Sequence, residues 1–149
     1  MLALNLPGFT PKIMVKEGKR MIFDPIRKKY VTLTPEEWVR QHFVHYLITQ
    51  KKYPGELLGN EVQVKLNGTS KRCDTVAYNR FLDPLMIVEY KAPTVTITSA
   101  VFDQIARYNM ALHVDYLIVS NGINHYCCKI DYDNRSYSFL DVIPDYDKL

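Results

Sequence analysis

What this chain lacks narrows what it can be. Its three cysteines are Cys73, Cys127 and Cys128, an odd number with two of them adjacent and no C-x-x-C spacing. A disulfide scaffold and a thiolate zinc site are therefore not expected, and a reducing compartment, the cytoplasm, is the simplest setting. The histidines His42, His45, His113 and His125 show no metal-ligand spacing. His42 and His45 sit three apart on an expected helix, but no third ligand accompanies them. No apolar run is long enough to span a bilayer. The start, Met1 to Pro7, has no charged leader and is broken by Pro7 and Gly8, so a signal peptide is not expected. There is no repeat, no low-complexity segment and no linker long enough to divide domains. Net charge is small, +3, and does not by itself point to nucleic acid.

What is present is ordinary in amount and uneven in distribution. The 149 residues are 47% hydrophobic and 23% charged, enough for one domain with a real core. Residues 1–30 carry Lys12, Lys16, Lys19, Arg20, Arg27, Lys28 and Lys29 against Glu17 and Asp24. Residues 131–149 carry five Asp against Arg135 and Lys148. A basic end could lie along phosphates, or be a solvated surface.

The pattern of elements runs from β to α/β. Ile13–Val15 and Met21–Phe23 around Glu17-Gly18-Lys19 read as a hairpin, with Tyr30–Leu33 as a further strand. Thr34, Pro35 and Glu37 form a Thr-x-x-Glu capping box, and the helix they start carries Val39, Phe43, Tyr46 and Leu47 as its apolar stripe to about Gln50. Glu61–Leu66 alternates and ends at the turn Asn67-Gly68. Strands Asp74–Tyr78 and Leu85–Tyr90 flank a turn over 79–84. Ser99 is expected to cap a second helix from Ala100 to about Leu112, with Ile105, Tyr108 and Leu112 on one face. Tyr116–Val119 reads as a buried strand, Asn121-Gly122 as a hairpin turn, and 124–130 and 137–140 as closing strands. The expected fold is α/β, with a mixed β-sheet core flanked by helices and an N-terminal β-hairpin.

The chemistry gathers around Met86-Ile87-Val88-Glu89-Tyr90-Lys91. Strand alternation puts Ile87, Glu89 and Lys91 on one face. Pairing Tyr78 with Leu85 carries Asp74 to a place opposite Glu89, with Cβ atoms roughly 5 Å apart. Two carboxylates so placed can hold one hard divalent cation, and a lysine beside them can face a phosphate or an attacking water. A carboxylate at the end of an apolar run needs a partner, because an unpaired buried charge is costly.

Four segments in order, residues 34–40 (Thr-Pro-Glu-Glu-Trp-Val-Arg), Lys71-Arg72-Cys73-Asp74, Val88–Pro93 and Phe102–Asn109, resemble the PD-(D/E)XK nuclease superfamily. Within it, the chain looks like the N-terminal nuclease domain of type I restriction enzyme R subunits, in a stand-alone form. The resemblance covers roughly residues 30–130. Cys73 stands where many members have Pro. The resemblance implies a restriction-endonuclease-like core over 34–143, a β extension over 1–33, and one nuclease-like domain over 1–149. It implies Mg²⁺, with Mn²⁺ as a substitute, held by Asp74, Glu89 and the Tyr90 carbonyl. Lys91 would stabilise charge on the phosphate or act on the water; its bland alternative is a salt bridge to Glu89 or Asp74. Gln104 and Tyr108, spaced i, i+4, match a Gln-x-x-x-Tyr signature whose residues line the site and contact nucleic acid. A first-helix Glu often reaches the metal through water. Glu37 has a local task in the capping box, which leaves Glu36 as the candidate, and Arg40 would pair with Glu36 or with a phosphate.

The implied activity is metal-dependent hydrolysis of DNA phosphodiester bonds. The rival expectation is a non-catalytic module on the same scaffold that binds nucleic acid or protein. Expected partners are DNA and either a second copy or the helicase and specificity subunits of a restriction system, with no membrane. The chain ends soon after the last expected strand, so a motor region and ATP-dependent translocation are not expected.

Overall fold

The computed structural model describes residues 2–66 and 68–149, so Asn67 of the expected Asn67-Gly68 turn lies outside the described residues. The first three strands, β1 (Ile13–Lys16), β2 (Lys19–Asp24) and β3 (Lys29–Thr32), form an antiparallel three-stranded sheet. Glu17 and Gly18 make the β1–β2 turn at φ 51° and 76°, a left-handed pair that glycine tolerates at its second position. The next turn is stapled by the Asp24 carboxylate, which accepts from the amides of Ile26 and Arg27.

Helix α1 (Pro35–Gln50) starts as its sequence dictates. Thr34 accepts the Glu37 amide at 3.0 Å, and Pro35 occupies the first turn, where its missing N–H costs nothing. Only half of the capping box forms. The Glu37 carboxylate does not turn back to Thr34; it accepts from Arg27, Arg40 and Gln41 instead. Three charge-assisted or amide donors outweigh one backbone N–H at a buried position.

A short 3₁₀ turn, Gly55–Leu57, leads into β4 (Leu58–Leu66), β5 (Thr69–Tyr78) and β6 (Pro84–Tyr90). Helix α2 (Ser99–Met110) crosses over to β7 (Tyr116–Ser120), and β8 (His125–Asp131) and β9 (Ser136–Leu140) complete the chain's strands. The six strands lie in sequence order, antiparallel except for β6 beside β7. That single parallel pair requires the α2 crossover. At the β7–β8 turn Gly122 has φ 86°, a left-handed conformation that favours glycine, and a Cβ there would push on the Leu4 side chain at 2.8 Å.

The sheet is buried on both sides. Met86, Val88, Tyr90 and Ile118 pack against Val39, Phe43 and Leu47 of α1. Ile87, Leu117 and Val119 pack against Phe102 and Ala106 of α2. Each such aliphatic or aromatic side chain contributes about 1.5–3 kcal/mol on burial. Among the described residues, no helix is long and apolar enough to cross a membrane.

Two sequence expectations are corrected here. Thr98, not Ser99, caps α2, accepting from the Val101 amide. The inward face of α2 is Phe102, Ala106 and Asn109, while Tyr108 is exposed and Leu112 lies beyond the helix end. Small Ala106 and polar Asn109 hide that stripe from a hydrophobicity pattern.

Candidate active site on β5 and β6

β5 and β6 pair through Thr75–Val88, Val76–Ile87 and Ala77–Met86, and then slip, so that Tyr78 meets Pro84 and not Leu85. The bulge is absorbed next to the turn, where the Asn79 side chain accepts the amides of Phe81 and Asp83. From Thr75–Val88 to Ala77–Met86 the register is the expected one, but Asp74 and Glu89 are not a ladder pair, and Asp74 reaches the end of β6 through its side chain. There the Tyr90 amide donates to Asp74 Oδ2 at 2.8 Å. Glu89, on the α2 side of β6 with Ile87, has its side chain 22% exposed.

Local backbone geometry serves this meeting. Cys73 and Val76 both face the α2-side core, although strand alternation forbids it for residues three apart. β5 therefore breaks its pleat between them, at Asp74. Across from the break sits Glu61, a non-glycine residue at φ 56° within β4. Such a conformation persists only where its surroundings over-determine it. Here Glu61 is gripped by Arg40 at 2.7 Å and Arg72 at 2.8 Å.

Arg40 lies beneath Asp74 and is 6% exposed. Its Nε donates to Glu37, its Nη1 to the Asp74 carbonyl and its Nη2 to Glu61. Its guanidinium also stands 5.6 Å over the Tyr90 ring. It thus braces the strand from behind, and it pairs with Glu37 and Glu61 and not with Glu36. A second chain of bonds fixes Tyr90: its hydroxyl donates to Thr75, Thr75 to Asn60, and Asn60 to Asp24, which is fully buried. Burial raises the Tyr90 phenol well above its usual range, so it stays neutral and serves as a donor.

Burial also raises the Asp74 carboxyl, with the charges of Glu89 and Glu61 adding to it, against the Tyr90 amide and Arg40, which lower it. A carboxylate held uncomfortably ionised beside another is what a divalent cation relieves. Asp74, Glu89 and the Tyr90 carbonyl are hard oxygen donors of the kind Mg²⁺ takes. Among the described residues no set of three or more His, Cys, Asp or Glu side chains converges as a ligand group, so a cation here would rest on two carboxylates and backbone oxygen.

The remaining expected residues divide. Lys91 follows β6 directly, half-buried, its amide donating to the Ser120 carbonyl at 2.8 Å. Tyr108 is 62% exposed and borders the site through Lys71, whose Nζ is 4.7 Å from its ring centroid. Glu36 and Gln104 are exposed, and the α1 carboxylate that faces the sheet is Glu37. Sequence reasoning passed over Glu61, Lys71 and Asn109. Lys71 and Asn109 lie inside the segments that carry the resemblance, but no spacing rule marks them. Glu61 opens an alternating strand and reads as solvent-facing.

Residues 35–144 match the family model described as "Type I restriction enzyme R protein N terminus". Among solved structures, a fragment described as the HsdR subunit of a type I restriction enzyme from Vibrio vulnificus YJ016 has the same fold, with a TM-score of 0.53 at 18% identity. The likeness covers 78% of this chain and 24% of that one, so this chain spans about a quarter of that structure. No curated protein matches.

Proposed function

The chain belongs to the family of type I restriction enzyme R protein N termini, and from that premise we propose that it is a metal-dependent nuclease of the PD-(D/E)XK type acting on DNA phosphodiester bonds. The observation that supports the reading is the Asp74 carboxylate, which accepts the Tyr90 amide at 2.8 Å and so stands at the end of β6, where Glu89 is the preceding residue. Asp74, Glu89 and the Tyr90 carbonyl would hold Mg²⁺, or Mn²⁺ in its place. When bound, the cation supplies Lewis-acid polarisation of the phosphate and lowers the pKa of water.

The chain's own residues do the rest. The Tyr90 amide takes Oδ2 of Asp74, which would leave Oδ1 for the cation. Arg40 fixes the Asp74 backbone, so the carboxylate does not have to be ordered at the moment of reaction. The Lys91 ammonium stabilises the charge that grows on the phosphate as water adds to phosphorus and the P–O ester bond breaks, or it positions that water. Tyr108, exposed on α2, offers a ring face to a base or sugar. The protein's partners would be DNA and other subunits of a restriction system, or a second copy of itself.

Lys91→Ala separates binding from chemistry. It is expected to keep Mn²⁺ binding by calorimetry and to lose cleavage of plasmid and single-stranded DNA by about 10²-fold or more. Undiminished cutting by Lys91→Ala would remove Lys91 from the mechanism. Absence of both cutting and Mn²⁺ binding in the wild type would favour a non-catalytic binding module on this scaffold.

A further inference from the structure

One buried-side cation at the site has no part in the mechanism above. The broken pleat of β5 turns Lys71 to the same side as Cys73, toward α2. Its Nζ lies 3.5 Å from Glu89 Oε1, donates to Asn109 Oδ1 at 3.1 Å, and sits 4.7 Å from the centre of the Tyr108 ring. Asn109 is 2% exposed, and its Nδ2 donates to the Ile105 carbonyl, which aims Oδ1 at the lysine. The Lys71 side chain itself is only 13% exposed. A carboxylate, an amide oxygen and an aromatic face, all electron-rich, thus cage one ammonium. A lysine on an ordinary solvated face has no such enclosure.

The consequence follows from charge. Asp74 and Glu89 are like charges on neighbouring strands, and the positive group set against Glu89 is Lys71. Lys91, the residue just after β6, makes no ion pair among the described residues. We propose that Lys71 is a built-in counter-cation for Glu89, caged on α2 by Asn109 and Tyr108, which a divalent cation must displace from the carboxylate in order to bind. The inference rests on reading Asp74 and Glu89 as the cation's ligands. A singly charged ammonium and a doubly charged metal compete for the same oxygens, so the lysine sets how much free metal the site needs. Lys71 is a positioning residue, acting through Glu89.

The test is Mn²⁺ titration by calorimetry on the full chain, wild type beside Lys71→Met and Lys71→Arg, with thermal melts in EDTA alongside. Lys71→Met is expected to bind Mn²⁺ on the order of tenfold more tightly than wild type. It is expected to melt lower than wild type in EDTA, with the gap closing as Mn²⁺ is added. Lys71→Arg, which keeps the charge, binds no tighter than wild type. Should Lys71→Met not fold, Lys71→Gln keeps a hydrogen-bonding group without the charge and gives the same tightening. A purely structural lysine would lower the melting temperature and leave Mn²⁺ affinity alone. Wild-type binding with equal or weaker binding by the uncharged variants overturns the counter-cation role and leaves the metal site standing. Binding by none of the proteins overturns the site itself, and this inference with it.

Discussion

At the scale of single residues, Asp74 is in conflict with its own fold. Burial, with Glu89 and Glu61 nearby, raises its carboxyl above the ordinary 3.8. A carboxyl raised in the folded state is disfavoured there as an anion. That penalty is complete above the folded pKa and absent below the unfolded one. Asp74→Asn, whose amide oxygen can still accept from Tyr90, therefore stabilises the metal-free protein at neutral pH, by on the order of 1 kcal/mol. The gain shrinks on acidification and is gone below about pH 4, which thermal melts in EDTA across pH check. Arg40 gives the opposite result. Arg40→Ala leaves Glu37 and Glu61 without their shared partner and is expected to cost about 3–5 kcal/mol in urea denaturation. The pairing of β5 with β6 that carries Asp74 toward the end of β6 was legible in the sequence because strand register is local arithmetic. Glu37 was not. Its capping role is visible three residues away, but the donors that claim its carboxylate include Arg27, ten positions back and on the far side of a strand.

At the scale of elements, the two helices show where local signals suffice. α1 carries Thr34, Pro35 and an apolar stripe, and its expected start and end hold. α2 offers two cap-forming residues in a row, Thr98 and Ser99, and local chemistry does not choose between them. The choice is made by Phe102, which must reach Tyr137 at 5.5 Å and Phe139 at 4.9 Å between ring centres. That long-range contact sets the helix's rotation and start. Thr98→Ala is accordingly expected to cost about 1 kcal/mol in chemical denaturation, and Ser99→Ala no more than about 0.5 kcal/mol. The reverse ranking would restore Ser99 as the cap. The β5–β6 register was readable within the strands, whereas the slip at Tyr78–Pro84 depends on how Asn79 folds the turn.

At the scale of the molecule, the order of elements and the mixed sheet follow from patterning, because β6 and β7 read as continuous apolar runs that need cover on both sides. What patterning does not show is the buried polar wiring. Asp24, Asn60, Thr75 and Tyr90 form one chain of hydrogen bonds, and Arg27, Glu37, Arg40 and Glu61 form a second of alternating charge. Their members are scattered from residue 24 to residue 90, and each reads singly as a surface group. Together they tie β2, α1, β4, β5 and β6 behind the Asp74 carboxylate. Such networks specify an arrangement only when every member is satisfied, and no buried side-chain N or O among the described residues lacks a partner. The buried thiols fit the same picture: burial pushes Cys73 up to about 11 and Cys127 and Cys128 up to about 12, so none is a ready nucleophile.

The proposed cation-ligand role in phosphodiester hydrolysis would explain why Asp74 is kept at a cost to stability. The most direct measurement is cleavage of supercoiled plasmid by wild type beside Asp74→Asn, in Mg²⁺ and in EDTA. Because Asp74→Asn is expected to be at least as stable as wild type, lost activity in that variant would not reflect unfolding. That role predicts Mg²⁺-dependent nicking by the wild type, none in EDTA, and a fall of about 10²-fold or more in Asp74→Asn. Cutting by Asp74→Asn at the wild-type rate would contradict it.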